Sequence, residues 1–165
     1  MRYIFILLFA IIASSSYAQS KTTEALDKKY EETLSLFFYH NTLRMINQNE
    51  DKELDELIKD IEKMKFLAIS KNGFGAADYK KLVSDYKAEA FEEMMTSRHD
   101  GKNFDVYMKE GATKGMIVTV NDAENLYVLD IVGSIPLNKV TKLFTTIDES
   151  SEIGKKIREF TKHDH

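Results

Sequence analysis

The side chains able to do chemistry in this chain are four histidines, at positions 40, 99, 163 and 165, and a crowd of carboxylates among which Asp130 stands apart. No two histidines stand at the i, i+4 spacing that lets a helix present two imidazoles to zinc, and KHDH at the C-terminus offers no surrounding shell to orient a ligand. His40 follows Phe37, Phe38 and Tyr39, an aromatic cluster that reads as packing with a polar tip in water. His99 opens the turn HDGKN. Paired acids such as Asp51 with Asp55 and Glu92 with Glu93 read as solvated helical faces, since acid–base catalysis needs two carboxyls in a cleft with separated pKa values. Asp130 differs because it interrupts an apolar run. Tyr127, Leu129 and Ile131 alternate with Leu126, Val128, Asp130 and Val132, so both faces of the strand are apolar and the strand is central. A carboxylate there needs a partner or an opening to water, and a Lys or Thr neighbour on the sheet, or a solvated sheet face, is the expected answer.

Glycine loops raise two further possibilities. NGFGAAD, Asn72 to Asp78, follows a strand and opens a helix as a dinucleotide loop does, but its third small position is Asp78, whose charge would repel a pyrophosphate. It reads as a glycine turn that starts a helix. No G-x-S-x-G occurs, and the GSI at Gly133 to Ile135 lacks the second glycine of a nucleophile turn. The absence of cysteine removes disulfides, thiolate metal sites and a lipid-bearing cysteine together. No catalytic, cofactor-binding or metal-binding residue is assigned. Asp130, His40 and His99 are retained as functional candidates.

These residues must be held by elements legible in the pattern. Thr33 to Phe38 reads as a strand and His40 to Ile46 as a short helix. From Asp51 to Met64, Leu54, Leu57, Ile58, Ile61 and Met64 fall at helical spacing, and Lys65 to Ser70 follows as a buried strand. A long helix is expected from Ala76 to Ser97, with Tyr79, Leu82, Val83, Tyr86, Ala90, Phe91 and Met94 on one face. Three strands come next, Phe104 to Lys109, Gly115 to Asn121 and Leu126 to Val132, joined by short polar turns as a meander. Leu137, Val140, Phe144 and Ile147 mark a closing helix that Gly133 and Pro136 introduce. The order β-α-β-α-β-β-β-α predicts an α+β fold of two layers, a mixed sheet of about five strands with helices packed on it and parallel crossovers first.

Outside that unit, MRYIFILLFAIIASSSYA has a basic Arg2, an apolar run from Ile4 to Ala13, and Ser16 and Ala18 before the expected cut after Ala18. The run is about half of the roughly 20 residues a membrane-spanning helix needs. The organisation expected is a signal peptide over 1–18, a polar segment over 19–29, one domain over 30–147 and a charged tail over 148–165. Export to the periplasm or beyond the cell follows, without a cysteine-borne lipid and without an integral span in the mature chain. Losing Arg2 leaves 22 basic residues against 27 acidic, which argues against nucleic acid as a partner.

The segment LRMI at Leu43 to Ile46, the stretch YKKLVSDYKAEAFEEMM, the three-strand run and the closing VLDIVGSIPLNKVTKL, Val128 to Leu143, together resemble the domain of unknown function 4252 family over roughly Tyr30 to Ile147. Pro136 stands where that family often has an acid, a capping exchange, since proline suits the first helical turn. The resemblance implies a small exported envelope protein of Gram-negative bacteria, with a hint of envelope stress signalling and no established activity, so no catalytic residue is carried over. The expected function is a non-enzymatic exported domain that binds an envelope partner or assembles with itself. The alternatives are a small hydrolase built around Asp130, His40 or His99, and small-molecule or lipid binding in a lining drawn from seven methionines and ten phenylalanines.

Overall fold

The computed structural model describes residues 19–30, 34–47, 50–99 and 101–140. The expected signal peptide, the charged tail with His163 and His165, and Phe144 and Ile147 of the closing helix lie outside the described residues.

The chain runs through α1 (Lys21–Lys29), β1 (Leu34–Tyr39), α2 (His40–Ile46), α3 (Lys52–Ile58), β2 (Ile61–Ser70), α4 (Ala76–Ala88), β3 (Glu92–His99), β4 (Lys102–Lys109), β5 (Gly115–Asn121) and β6 (Asn125–Gly133), and turns helical again at 137–140. The strands make one sheet in the order β1-β2-β6-β5-β4-β3, every pair antiparallel. The α+β class and the meander of β4, β5 and β6 are as expected, with six strands instead of about five.

Side-chain alternation sends the two faces of the sheet to two cores. Met64 and Phe66 of β2, Leu129 and Ile131 of β6, and Met116 and Val118 of β5 pack with Leu43, Leu57, Ile58, Ile135 and Val140. Leu67 and Ile69, Leu126 and Val128, and Ile117 pack on the opposite face with Leu26 of α1 and Leu82 and Tyr86 of α4. Helices therefore cover both faces of the sheet, where two layers were expected. Burial on both sides explains why β5 and β6 read as nearly continuous apolar runs.

Two misread boundaries account for the missing strand and for the expected parallel crossovers. The helix expected over Asp51 to Met64 ends at Ile58, and Ile61 and Met64 belong to β2. A register shift between Ile61 and Lys63 adds one residue there, so Ile61 and Met64 point into the same core three positions apart. A bulged strand thus presents the i, i+3 spacing of a helix. The helix expected over Ala76 to Ser97 ends at Ala88 and the chain returns as β3, which restores an antiparallel path.

That second stop has no glycine to announce it. Ala90 takes the left-handed conformation, φ 66°. Its N–H donates to the Lys87 carbonyl at 3.0 Å and the Phe91 N–H donates to the Tyr86 carbonyl at 3.1 Å, the paired bonds of a Schellman motif. The apolar contact that usually accompanies the motif is also present, as the Tyr86 and Phe91 rings meet edge to face with centroids 5.9 Å apart.

Candidate functional site

Asp130 lies on β6, third of the six strands, directly opposite Lys65 of β2 and Ile117 of β5. Its side chain faces the α1 and α4 side and is 2% exposed. A lysine neighbour on the sheet is present as Lys65, opposite in register, but it is engaged elsewhere, since the Lys65 Nζ pairs with the Asp27 carboxylate of α1 at 2.5 Å. Asp130 Oδ2 instead accepts the backbone N–H of Ser20 at 2.9 Å. Burial raises the Asp130 carboxyl to about 6, against the pull of the Thr23 hydroxyl and the Ser20 N–H, which favour the charged form.

A second carboxylate meets the same piece of chain. Glu89, just past α4, accepts the Thr22 N–H at 2.6 Å, the Ser20 hydroxyl at 3.0 Å and the Lys21 N–H at 3.0 Å. Burial works to raise its carboxyl, but these bonds outweigh it and hold Glu89 below the usual range. The Ser20 hydroxyl also accepts the Thr23 N–H and so caps α1. Thr23 in turn shares a hydrogen bond of 2.9 Å with the phenol of Tyr86, whose full burial raises its pKa. The start of α1 is thus fastened to α4 and to the sheet through two acids, with orphan helical N–H groups as donors.

Beside this junction is a cavity of about 180 Å³, lined by Gln19, Ser20, Glu89, Lys109, Lys114 and Asp130 among others. Gln19 is 7% exposed and its Nε2 is buried with no hydrogen-bond partner among the described residues. His40 belongs elsewhere. It starts α2, its Nδ1–H donates to the Ile61 carbonyl at 2.8 Å, and it lines an open cleft of about 840 Å³ with Lys59, Asp60, Glu62 and Ser134. His99 ends β3, at the sheet edge farthest from β1, and its side chain lies outside the described residues. Among the described residues no histidine lines the cavity at Asp130, so the structure does not assemble these candidates into one acid–base site.

A different polar cluster went unread in the sequence. Asp105 of β4, 7% exposed, accepts hydrogen bonds from the Tyr79 hydroxyl and, at 2.9 Å, from the Thr96 hydroxyl, and Tyr79 also shares a bond of 3.1 Å with Thr119. Burial first, then Asp105, raise the Tyr79 phenol well above its usual value. Asp105 sits between Phe104 and Val106 much as Asp130 sits between Leu129 and Ile131, so the same alternation argument could have found it. Glu89 could not be found that way, because its partners are backbone groups and a hydroxyl 67 to 69 residues distant.

The glycine loop ahead of α4 serves the helix. The Asp78 carboxylate accepts the Gly75 N–H at 3.0 Å and pairs with Lys29 at 3.0 Å, and these contacts, the Gly75 bond foremost, hold it below the usual range. No group of three or more His, Cys, Asp or Glu able to hold a metal occurs among the described residues. No described helix is long and apolar enough to cross a membrane.

What this geometry can do chemically is hold a positive or hydrogen-bond-donating group against two acids, beside the start of α1. No curated protein and no solved structure matches the chain. A family model matches residues 17–143, and the chain belongs to that family, the Domain of unknown function (DUF4252).

Proposed function

We propose that this chain is an exported, non-enzymatic domain of the bacterial envelope that acts by assembly, pairing with a second copy of itself through the free edge of β1. The N-terminal leader pattern supports export. The observation that carries assembly is the contrast between the two sheet edges. At one end, β3 is blunted by Glu92, Glu93 and Arg98 and by a register shift between Glu93 and Met95. At the other, β1 has the sequence LSLFFY, without a charge or an irregularity in its pairing to β2, and no strand among the described residues pairs with its outer side.

On β1, only Phe38 of the aromatic cluster expected to pack is buried, while Phe37 and Tyr39 are 41% and 62% exposed and lie ring to ring at 4.7 Å. An uncharged edge strand is self-complementary, because two copies can run antiparallel about a two-fold axis without burying a charge. A solvated protein edge without such a role usually carries protection.

The test is analytical ultracentrifugation of the exported protein and of Phe37→Lys, an exposed change that leaves both cores untouched. A wild-type dimer that the substitution returns to monomer supports the reading. A wild-type monomer across the micromolar range, with nothing crosslinked through β1 in native envelopes, overturns it. A monomer that is crosslinked to another envelope protein, and loses it in Phe37→Lys, rejects self-assembly and moves the occupant of the edge to that protein.

A further inference from the structure

Among the described residues, the pair of acids at the start of α1 has no cation paired with it. Asp130 and Glu89 both address residues 20–22, the register partner Lys65 is held by Asp27 at 2.5 Å, and the Lys109 ammonium lies 5.7 Å from the ring centre of Phe91. One residue upstream, Gln19 is buried against the 180 Å³ cavity with an unpartnered amide nitrogen. A roomy pocket with two carboxylates and two lysines on its wall is costly where it is incompletely bonded, since a buried unsatisfied donor and a buried carboxylate without an ion pair each destabilise a fold.

Cleavage after Ala18 would create a positive charge at this place. The first residue of the mature chain would be Gln19, whose α-amino group, with an ordinary pKa of about 7.7–8.0, is an ammonium at neutral pH. We propose that the pocket beside Asp130 and Glu89 is a binding site for the chain's own new N-terminus, so that removal of the leader completes the fold by seating the Gln19 ammonium against these two carboxylates. This rests on the export reading given above and adds a consequence to it. Before cleavage the same nitrogen is a neutral amide and brings no charge to the two acids.

The charged groups around the seat are Lys65 from β2, Glu89 beyond α4, Lys109 from β4 and Lys114 ahead of β5, with the Tyr86 phenol behind Thr23. The ammonium adds the one positive charge whose presence depends on processing. It also favours the ionised form of Asp130, which burial alone disfavours.

The experiment compares protein exported from the full precursor with protein from a precursor carrying Gly-Ser between Ala18 and Gln19, each made with Asp130 and with Asp130→Asn. Mass spectrometry reads the mature N-terminus, and thermal unfolding at pH 7 reads stability. The expected result is a chain beginning at Gln19 whose Tm is about 5 °C above that of the extended chain, with the difference lost in the Asp130→Asn pair. The α-amine should also resist acetylation in the folded protein and react in urea. Should Asp130→Asn not fold, Glu89→Gln serves as the second partner and amine protection as the second readout.

A mature chain that does not begin at Gln19 overturns both export at this site and the seat. A chain that begins at Gln19 with equal Tm values and a freely reactive amine overturns the seat alone. A loss of about 17 Da, from attack of the α-amine on the Gln19 side-chain carbonyl with release of ammonia, also overturns it, because the resulting lactam carries no charge.

Discussion

At Asp130 the competing forces can be signed. Burial raises its carboxyl from 3.8 to about 6, so in the folded state it binds its proton more tightly than in the unfolded chain. The stability it lends is fully present below pH 3.8 and is lost as pH rises through about 6. With a chain continuing upstream of Gln19, that loss should amount to roughly 3 kcal/mol between about pH 4 and 7. Asp130→Asn should flatten this part of the profile in urea titrations, because a neutral amide keeps an acceptor for the Ser20 N–H without the ionisation. Glu89 works in the opposite sense, since its lowered pKa contributes stability above the ordinary carboxylate range that is lost as pH falls. If the profile of the Asp130→Asn protein proves as steep as that of the parent, the titration belongs to another group.

The junction from α4 into β3 is decided by a few backbone groups. Ala90 adopts φ 66° to close the Schellman motif, a conformation that is strained for any residue with a Cβ. Ala90→Gly should therefore raise stability by roughly 0.5–1 kcal/mol, read by urea unfolding, despite the greater freedom glycine brings to the unfolded chain. A loss of stability would mean that the Ala90 methyl packs usefully. At the end of β6, Gly133 meets the opposite demand. A Cβ there would collide with the Asp60 carbonyl oxygen, and φ is 120°. Gly133→Ala should cost at least about 3 kcal/mol by the same measurement, because neither backbone can move without breaking the Ser134 N–H bond to that same carbonyl.

Across the whole molecule, the two ends of the sheet are built differently, and the assembly reading follows from that difference more than from any single residue. β3 carries charges and a register shift, whereas β1 has neither, and among the described residues no strand pairs with its outer side. Since β2 is the strand that joins β1 to the sheet among the described residues, Phe37→Lys should change association with little effect on unfolding. A fall in Tm as large as the loss of dimer would show that Phe37 belongs to the core after all.

The sequence by itself determined the α+β class, the meander of β4 to β6, the central place of the strand that carries Asp130 and the helix-starting role of the loop before α4. Those features rest on local periodicity and turn chemistry, which few residues suffice to specify. Tertiary structure alone decided where α3 and α4 stop, because a bulge after Ile61 imitates helical spacing and an alanine takes the place where a glycine would have signalled the stop. It alone turned the expected parallel crossovers into an antiparallel sheet covered on both faces. It also decided what faces Asp130. The sheet neighbour Lys65 was legible as a residue type, but its charge went to Asp27, and the partner chosen was a backbone N–H 110 residues away. Every residue except proline carries the same backbone donor, so no pattern of side chains can announce which of them a buried carboxylate will take.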